Sequence, residues 1–208
     1  MECLDFYQKT DVQGENMKIV IVGGGAIGRL IGASLAGGKN DVTIVDVNPM
    51  VVEEIQQKGI GVMGGNADSP DSTEYVPVSA VSDTSLIQEC DLVLLTVKSF
   101  ATKAAAESVA HLVTEESPIV FMQTGLGNQF ILREMFPVKA ILAGLTFISG
   151  TAFGNSRVRQ GRWGMTFIGE LGEVGELTGA VTPRLKNICQ NFNDSGIDTK
   201  WSHKIIER

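Results

Sequence analysis

A glycine-rich turn near the start of the chain constrains its fold more than any other feature. The turn reads GGGAIG and lies between the apolar run KIVIV and an apolar segment with helical spacing. In such a turn the first glycine permits a tight reversal, the second lets the backbone approach a ligand, and the third lets helix and strand pack closely. This context is typical of a βαβ unit that binds a dinucleotide pyrophosphate, the alternative being a turn that needs glycines only for its shape. The predicted binding residues are Gly23, Gly24, Gly25, Ala26, Ile27 and Gly28.

The rest of the chain alternates between strand and helix patterns. From residue 17 to about residue 150, short apolar runs are separated by segments with helical periodicity. This alternation predicts an α/β, Rossmann-type, doubly wound and mostly parallel sheet covered by helices. Beyond residue 150 come short extended segments, a helix and a last strand, which predict a small antiparallel extension at one sheet edge. We therefore expect one dinucleotide-binding domain over residues 17–208, with its main sheet in 17–150 and the extension in 151–208, after a disordered tail or extended start at 1–16.

Charge and apolar content argue against nucleic-acid and membrane partners. The 208-residue chain has a formal net charge of −7, which opposes binding to phosphate backbones. One small basic cluster is interpreted as a solvated hairpin, and it comprises Arg157, Arg159 and Arg162. No run of about 18 apolar residues is present, so no membrane span is predicted.

The cysteines and histidines match no metal or redox motif. Three widely spaced cysteines favour a reducing compartment, and we predict a cytoplasmic protein with structural thiols and no metal site. His111 and His203 have no partner at the spacing of a catalytic arrangement.

An acidic residue follows the glycine loop at the distance expected for ribose recognition. Asp46 ends the second apolar strand, about 20 residues after the loop, where a carboxylate accepts hydrogen bonds from the adenosine ribose. A 2′-phosphate would meet like charge there, so Asp46 favours NAD(H) over NADP(H). A solvated acid at a strand end is the alternative, and Arg29 and Lys58 are the cations that would have to reach a 2′-phosphate from elsewhere.

Two further strands end in residues suited to a ligand cleft. Lys98 follows DLVLLTV, and the loop QTGLGN follows SPIVFM. Both positions lie at the carboxyl ends of parallel strands, where doubly wound sheets bind ligands. From these residues alone, Lys98 is equally well explained as a surface lysine at the sheet edge. The QTGLGN loop is likewise equally well explained as an ordinary glycine turn.

Six segments together carry a resemblance to a known family. In order along the chain they are VGGGAIG, NDVTIVD, DLVLLTVKS, QTGLGN, AGLTFISG and FIGE. Their order and spacing resemble the ketopantoate reductase (2-dehydropantoate 2-reductase) family over nearly everything from Met17 onward. The resemblance implies NADP(H)-dependent hydride transfer to the keto carbon of 2-dehydropantoate, which gives pantoate for pantothenate and coenzyme A synthesis.

Matched positions then assign roles to particular residues. The resemblance implies that residues 23–28 bind pyrophosphate, that Lys98, Thr124 and Gly125 line the cofactor and substrate cleft, and that Gly150 approaches the cofactor. Family members usually carry asparagine where Thr124 stands, and a threonine offers one hydroxyl instead of an amide. This departure leaves open a different 2-keto acid as substrate.

The resemblance implies a helical C-terminal domain that carries the lysine donating the proton, and we expect that domain to be missing from residues 1–208. We therefore expect the chain to supply the cofactor-binding half of the enzyme, and no catalytic residue is assigned beyond the cleft residues Lys98 and Thr124. The expected partners are a small keto acid and either a helical partner domain or further copies of the chain. A non-catalytic module that binds NAD(P)(H) is the alternative function.

Overall fold

A computed structural model describes residues 16–64, 72–125, 127–172 and 180–205. Of the predicted tail at 1–16, residues 1–15 lie outside the described residues. The strands are β1 (Lys18–Val22), β2 (Asp41–Val45), β3 (Ile60–Met63), β4 (Thr73–Val76), β5 (Ser79–Val81), β6 (Leu92–Leu95), β7 (Ile119–Phe121), β8 (Ile141–Thr146), β9 (Gly150–Phe153), β10 (Arg157–Gln160), β11 (Thr166–Glu170) and β12 (Thr199–Trp201). The α-helices are α1 (Ala26–Gly37), α2 (Pro49–Lys58), α3 (Thr102–Ser108), α4 (Asn128–Arg133) and α5 (Pro183–Asp194).

Eight strands form the main sheet, in the order β12-β11-β8-β7-β6-β1-β2-β5. All neighbouring pairs are parallel except β8 with β11, which is antiparallel. The predicted α/β fold with a mostly parallel sheet is confirmed. The central strands β6 and β7 are buried along their whole length, as expected of a parallel sheet covered on both faces.

Apolar side chains cover both faces of the main sheet. Ile19 and Ile21 of β1 pack on the face that carries α1, α2 and α5, whereas Val20 and Val22 pack on the face that carries α3 and α4. This division follows from the two-residue period of a strand, which sends neighbouring side chains to opposite faces. No helix among the described residues is long and apolar enough to cross a bilayer.

The segment expected as a single edge extension divides between two sheets. Strands β11 and β12 extend the main sheet, as predicted, but β9 and β10 join β3 and β4 in a second sheet with the order β4-β3-β10-β9. The hairpin of β9 and β10 leaves the main edge because Val158, which is fully buried, packs into the core beside α1. The pairing of β10 with β3 joins segments about 100 residues apart, which local periodicity does not reveal.

A partly buried ion pair fastens α5 to the sheet. The carboxylate of Glu170, at the end of β11, accepts hydrogen bonds from Arg184 Nε at 2.9 Å and from Thr182 Oγ1 at 2.6 Å. The Arg184 guanidinium also donates to the backbone carbonyls of Glu115 and Lys139, in the segments that lead to β7 and β8. We refer to Glu170, Thr182 and Arg184 as the α5 clamp.

Candidate dinucleotide-binding edge

The candidate site lies at the carboxyl edge of four adjacent strands, in the order β7-β6-β1-β2. The chain leaves β1 toward β2 on one side, and it returns to β6 on the other side. Loops that diverge in this way leave a crevice at the strand ends, and doubly wound proteins bind ligands in such crevices. Each of the four strands is followed by one feature that the sequence predicts for the site. The glycine loop follows β1, Asp46 follows β2, Lys98 follows β6, and the QTGLGN loop follows β7.

Gly23 and Gly28 allow the turn and the close packing that the sequence predicts. Gly23 has φ of +113°, which is strained for a residue with a side chain, and its N–H donates to Val45 O at 2.8 Å. A Cβ atom on Gly28 would overlap the carbonyl oxygen of Gly23 and would lie 2.7 Å from Thr96 Oγ1. The first turn of α1 therefore rests directly on the end of β1.

Gly25 faces open space at the start of α1. A Cβ atom on Gly25 would meet no atom within 4 Å, and no side chain caps the helix at this residue. The first N–H groups of a helix have no partner within it, and they carry the positive end of the helix dipole. Because the approach to these N–H groups is open, a pyrophosphate fits at the start of α1, as expected of a dinucleotide-binding loop.

Asp46 lies beside the loop and is held by two backbone groups. Its Oδ2 accepts a hydrogen bond from Gly24 N–H at 2.7 Å, and its Oδ1 accepts one from Asn48 N–H at 2.9 Å. A Cβ atom on Gly24 would lie 2.9 Å from Oδ2, so the close approach requires a glycine. The carboxylate is therefore oriented next to the loop, with lone pairs left to accept further hydrogen bonds.

The two cations considered for a 2′-phosphate are otherwise engaged. Arg29 is 3% exposed, and its guanidinium donates to the carbonyls of Gly154 and Arg157 at 3.1 and 2.8 Å. Burial lowers the pKa of Arg29, and the nearby charges of Asp46 and Glu54 partly offset this effect. Lys58 forms an exposed ion pair with Glu54 at 3.2 Å. Both side chains thus already have partners within the protein.

Lys98 and the Thr124 turn form the opposite half of the edge. Lys98 is exposed and caps the short 3₁₀ helix Ser99–Ala101, while Thr124 and Gly125 are exposed after β7. Ser99 Oγ donates to the carbonyl of Thr124 at 2.5 Å, so the two segments are in direct contact. Gly125 has φ of +112°, a conformation that favours glycine.

Gly150 has a packing role that the resemblance does not imply. A Cβ atom on this residue would lie 2.5 Å from Leu30 Cδ1 and 2.8 Å from Arg159 O. This contact between β9, β10 and α1 accounts for a glycine at the position. The expected approach of Gly150 to the cofactor stays a prediction.

The structure adds supporting residues that the sequence did not single out. Thr96 Oγ1 donates to the carbonyls of Val22 and Gly23 at 3.1 and 2.8 Å, which ties the end of β6 to the glycine turn. Buried Thr102 and Asn128 similarly support the turn after β7. The contacts of Thr96 with the glycine turn and of Thr102 with Asn128 join residues 26 to 74 positions apart, so spacing along the chain carries no sign of them.

The comparisons with known proteins agree with this geometry. The family described as ketopantoate reductase PanE/ApbA matches residues 19–173, which is three quarters of the chain. The chain belongs to the ketopantoate reductase family. Its relatives include the 2-dehydropantoate 2-reductases of Pyrococcus abyssi, 30% identical over 91% of this chain, and of Halobacterium salinarum, 29% identical over 88%.

Solved structures support the same membership in the ketopantoate reductase family. The 2-dehydropantoate 2-reductase of Geobacter metallireducens is 28% identical, with a TM-score of 0.76 over 89% of this chain. A D-mandelate dehydrogenase solved with NADH and anilino(oxo)acetate shares the fold with a TM-score of 0.79, at 22% identity over 91% of this chain. The chain spans 57–58% of the length of these four proteins.

Proposed function

We propose that this chain binds NADH and forms the cofactor-binding half of a reductase that acts on a 2-keto acid, with 2-dehydropantoate as the first candidate substrate. The observation that carries the proposal is the Asp46 carboxylate, which Gly24 and Asn48 hold beside the glycine loop. A carboxylate accepts hydrogen bonds from the two hydroxyls of an adenosine ribose, and it repels a 2′-phosphate. Self-association, a helical partner and a cytoplasmic location stay predictions.

Each part of the edge has a separate task in this proposal. The N–H groups at the start of α1 hold the pyrophosphate, and Asp46 orients the adenosine ribose. When bound, the nicotinamide supplies the hydride. The Lys98 ammonium, at the end of the neighbouring strand β6, provides a cation for the carboxylate of a keto acid. The chain thus orients the two reactants, which converts an encounter in solution into a reaction between fixed neighbours.

Cofactor preference tests the proposal directly. By calorimetric titration we expect this chain to bind NADH at least about tenfold more tightly than NADPH, because the 2′-phosphate would lie against Asp46. The Asp46→Asn variant should lose most of this preference, since the amide is neutral. Asp41→Asn is the matched control, because Asp41 is exposed at the opposite end of the same strand. Equal affinities, or tighter binding of NADPH, in the unaltered chain would contradict the proposal.

Thr124 supports a second candidate substrate class. Its exposed position in the cleft turn, and the likeness of the fold to a D-mandelate dehydrogenase, favour a 2-keto acid with a larger side chain. We expect the NADH-loaded chain to bind 2-dehydropantoate more tightly than phenylglyoxylate, as measured by competition titration. The reverse order of affinities would favour the second class.

A further inference from the structure

We propose that Thr102 is a positioning residue for the nicotinamide end of the cofactor cleft, acting through the turn that contains Thr124 and Gly125. This inference rests on the proposed binding of NADH. Thr102 is the first residue of α3, it is fully buried, and it does not itself line the cleft.

A chain of hydrogen bonds leads from Thr102 to the turn. Gln123 Nε2 donates to Thr102 Oγ1 at 2.9 Å, and Thr102 Oγ1 donates to Asn128 Oδ1 at 3.0 Å. Asn128 Nδ2 then donates to the carbonyl of Gly125 at 3.2 Å. The residues before and after the turn are thereby both fastened to the start of α3.

Only a hydroxyl can serve both contacts at this position. The Thr102 oxygen accepts one hydrogen bond and donates another, so an apolar side chain of the same shape would break both. Asn128 is 2% exposed, and its carbonyl oxygen would then lose the donor that Thr102 provides. A buried polar group without a partner shifts toward another contact or toward water, which would displace the turn.

The position of the turn identifies the part of the cofactor that it meets. Asp46 follows β2 on one side of the glycine loop, whereas the turn follows β7 on the other side, two strands from β1. Neighbouring strands lie about 4.8 Å apart, so the turn is on the order of 10 Å from the pyrophosphate loop, on the side away from the adenosine ribose. A dinucleotide with its adenosine at Asp46 therefore extends its nicotinamide half toward Thr124 and Gly125.

Gln123 gives independent support for a functional turn. Its Oε1 atom is buried and has no hydrogen-bond partner among the described residues, although its amide nitrogen is bonded to Thr102. An unpaired buried acceptor is destabilising, and such atoms in native proteins call for an explanation such as a functional site. Here the unpaired acceptor directly precedes the exposed Thr124 of the cleft.

Comparing two nucleotides separates a positioning role from a merely structural one. ADP-ribose fills the glycine loop and the Asp46 position but lacks the nicotinamide ring. We expect Thr102→Val to weaken NADH binding about tenfold by calorimetry while leaving the affinity for ADP-ribose within about twofold. Thr102→Ser keeps the hydroxyl and should restore NADH binding. Thr199→Val removes a buried hydroxyl three strands from β7 and serves as the control for general destabilisation.

The outcomes distinguish this inference from the function on which it rests. If the unaltered chain binds neither NADH nor ADP-ribose, the proposed function fails. If it binds both, but Thr102→Val weakens both equally or changes neither, the proposed function stands and the positioning role is overturned. Failure of Thr102→Ser to recover NADH binding would overturn the role as well, because the hydroxyl would then not be the active group.

Discussion

The Gly28→Ala variant is expected to lose both stability and nucleotide binding. The added methyl group would overlap the carbonyl oxygen of Gly23 and would lie 2.7 Å from Thr96 Oγ1, so α1 would have to move off the end of β1. Overpacking of this kind typically costs about 1–3 kcal/mol of unfolding free energy. We expect a lower melting temperature by circular dichroism and a loss of NADH affinity of more than about 100-fold.

Gly25→Ala is the matched comparison, because the same methyl group there meets no protein atom within 4 Å. Its backbone has φ of −75°, which an alanine adopts without strain. We therefore expect an unchanged melting temperature but weaker NADH binding, since the methyl group would occupy the space that the pyrophosphate approaches. Unaltered binding in Gly25→Ala, or unaltered stability in Gly28→Ala, would show that the two glycines do not have these separate roles.

Removing Arg184 from the α5 clamp should produce the largest loss of stability away from the site. Its guanidinium lies against Glu170, whose side chain is 6% exposed, and Arg184→Met would leave that carboxylate buried without its cation. Breaking a fully buried ion pair in this way costs roughly 3–5 kcal/mol, and the 26% exposure of Arg184 places the expected loss at the low end of that range. For a chain of this length the melting temperature should fall by about 10 °C.

Two controls test whether the clamp has this effect through its charge. The double variant Glu170→Gln with Arg184→Met removes both charges, and it should be more stable than Arg184→Met alone. Lys18→Met breaks an ion pair whose two side chains are 51% and 74% exposed, and it should leave the melting temperature unchanged. If Arg184→Met melts at the same temperature as the unaltered chain, the clamp does not stabilise the fold.

Much of the cofactor half of the site follows from local sequence. The glycine loop and Asp46 both lie within a single βαβ unit, where turn geometry and strand length place each residue relative to its neighbours. The alternation of strand and helix patterns likewise predicts the parallel sheet. Short-range constraints of this kind are visible along one segment of chain.

The tertiary structure decided what distant segments do together. Pairing of β10 with β3 removed the β9 and β10 hairpin from the predicted edge, and it brought Gly150 and Arg29 into contact with distant segments. Support of the turn by Thr102 depends on α3 lying beside the end of β7. Hydrogen bonds and close contacts between remote segments depend on where the folded chain brings them, and the local periodicity of a sequence contains no record of that placement.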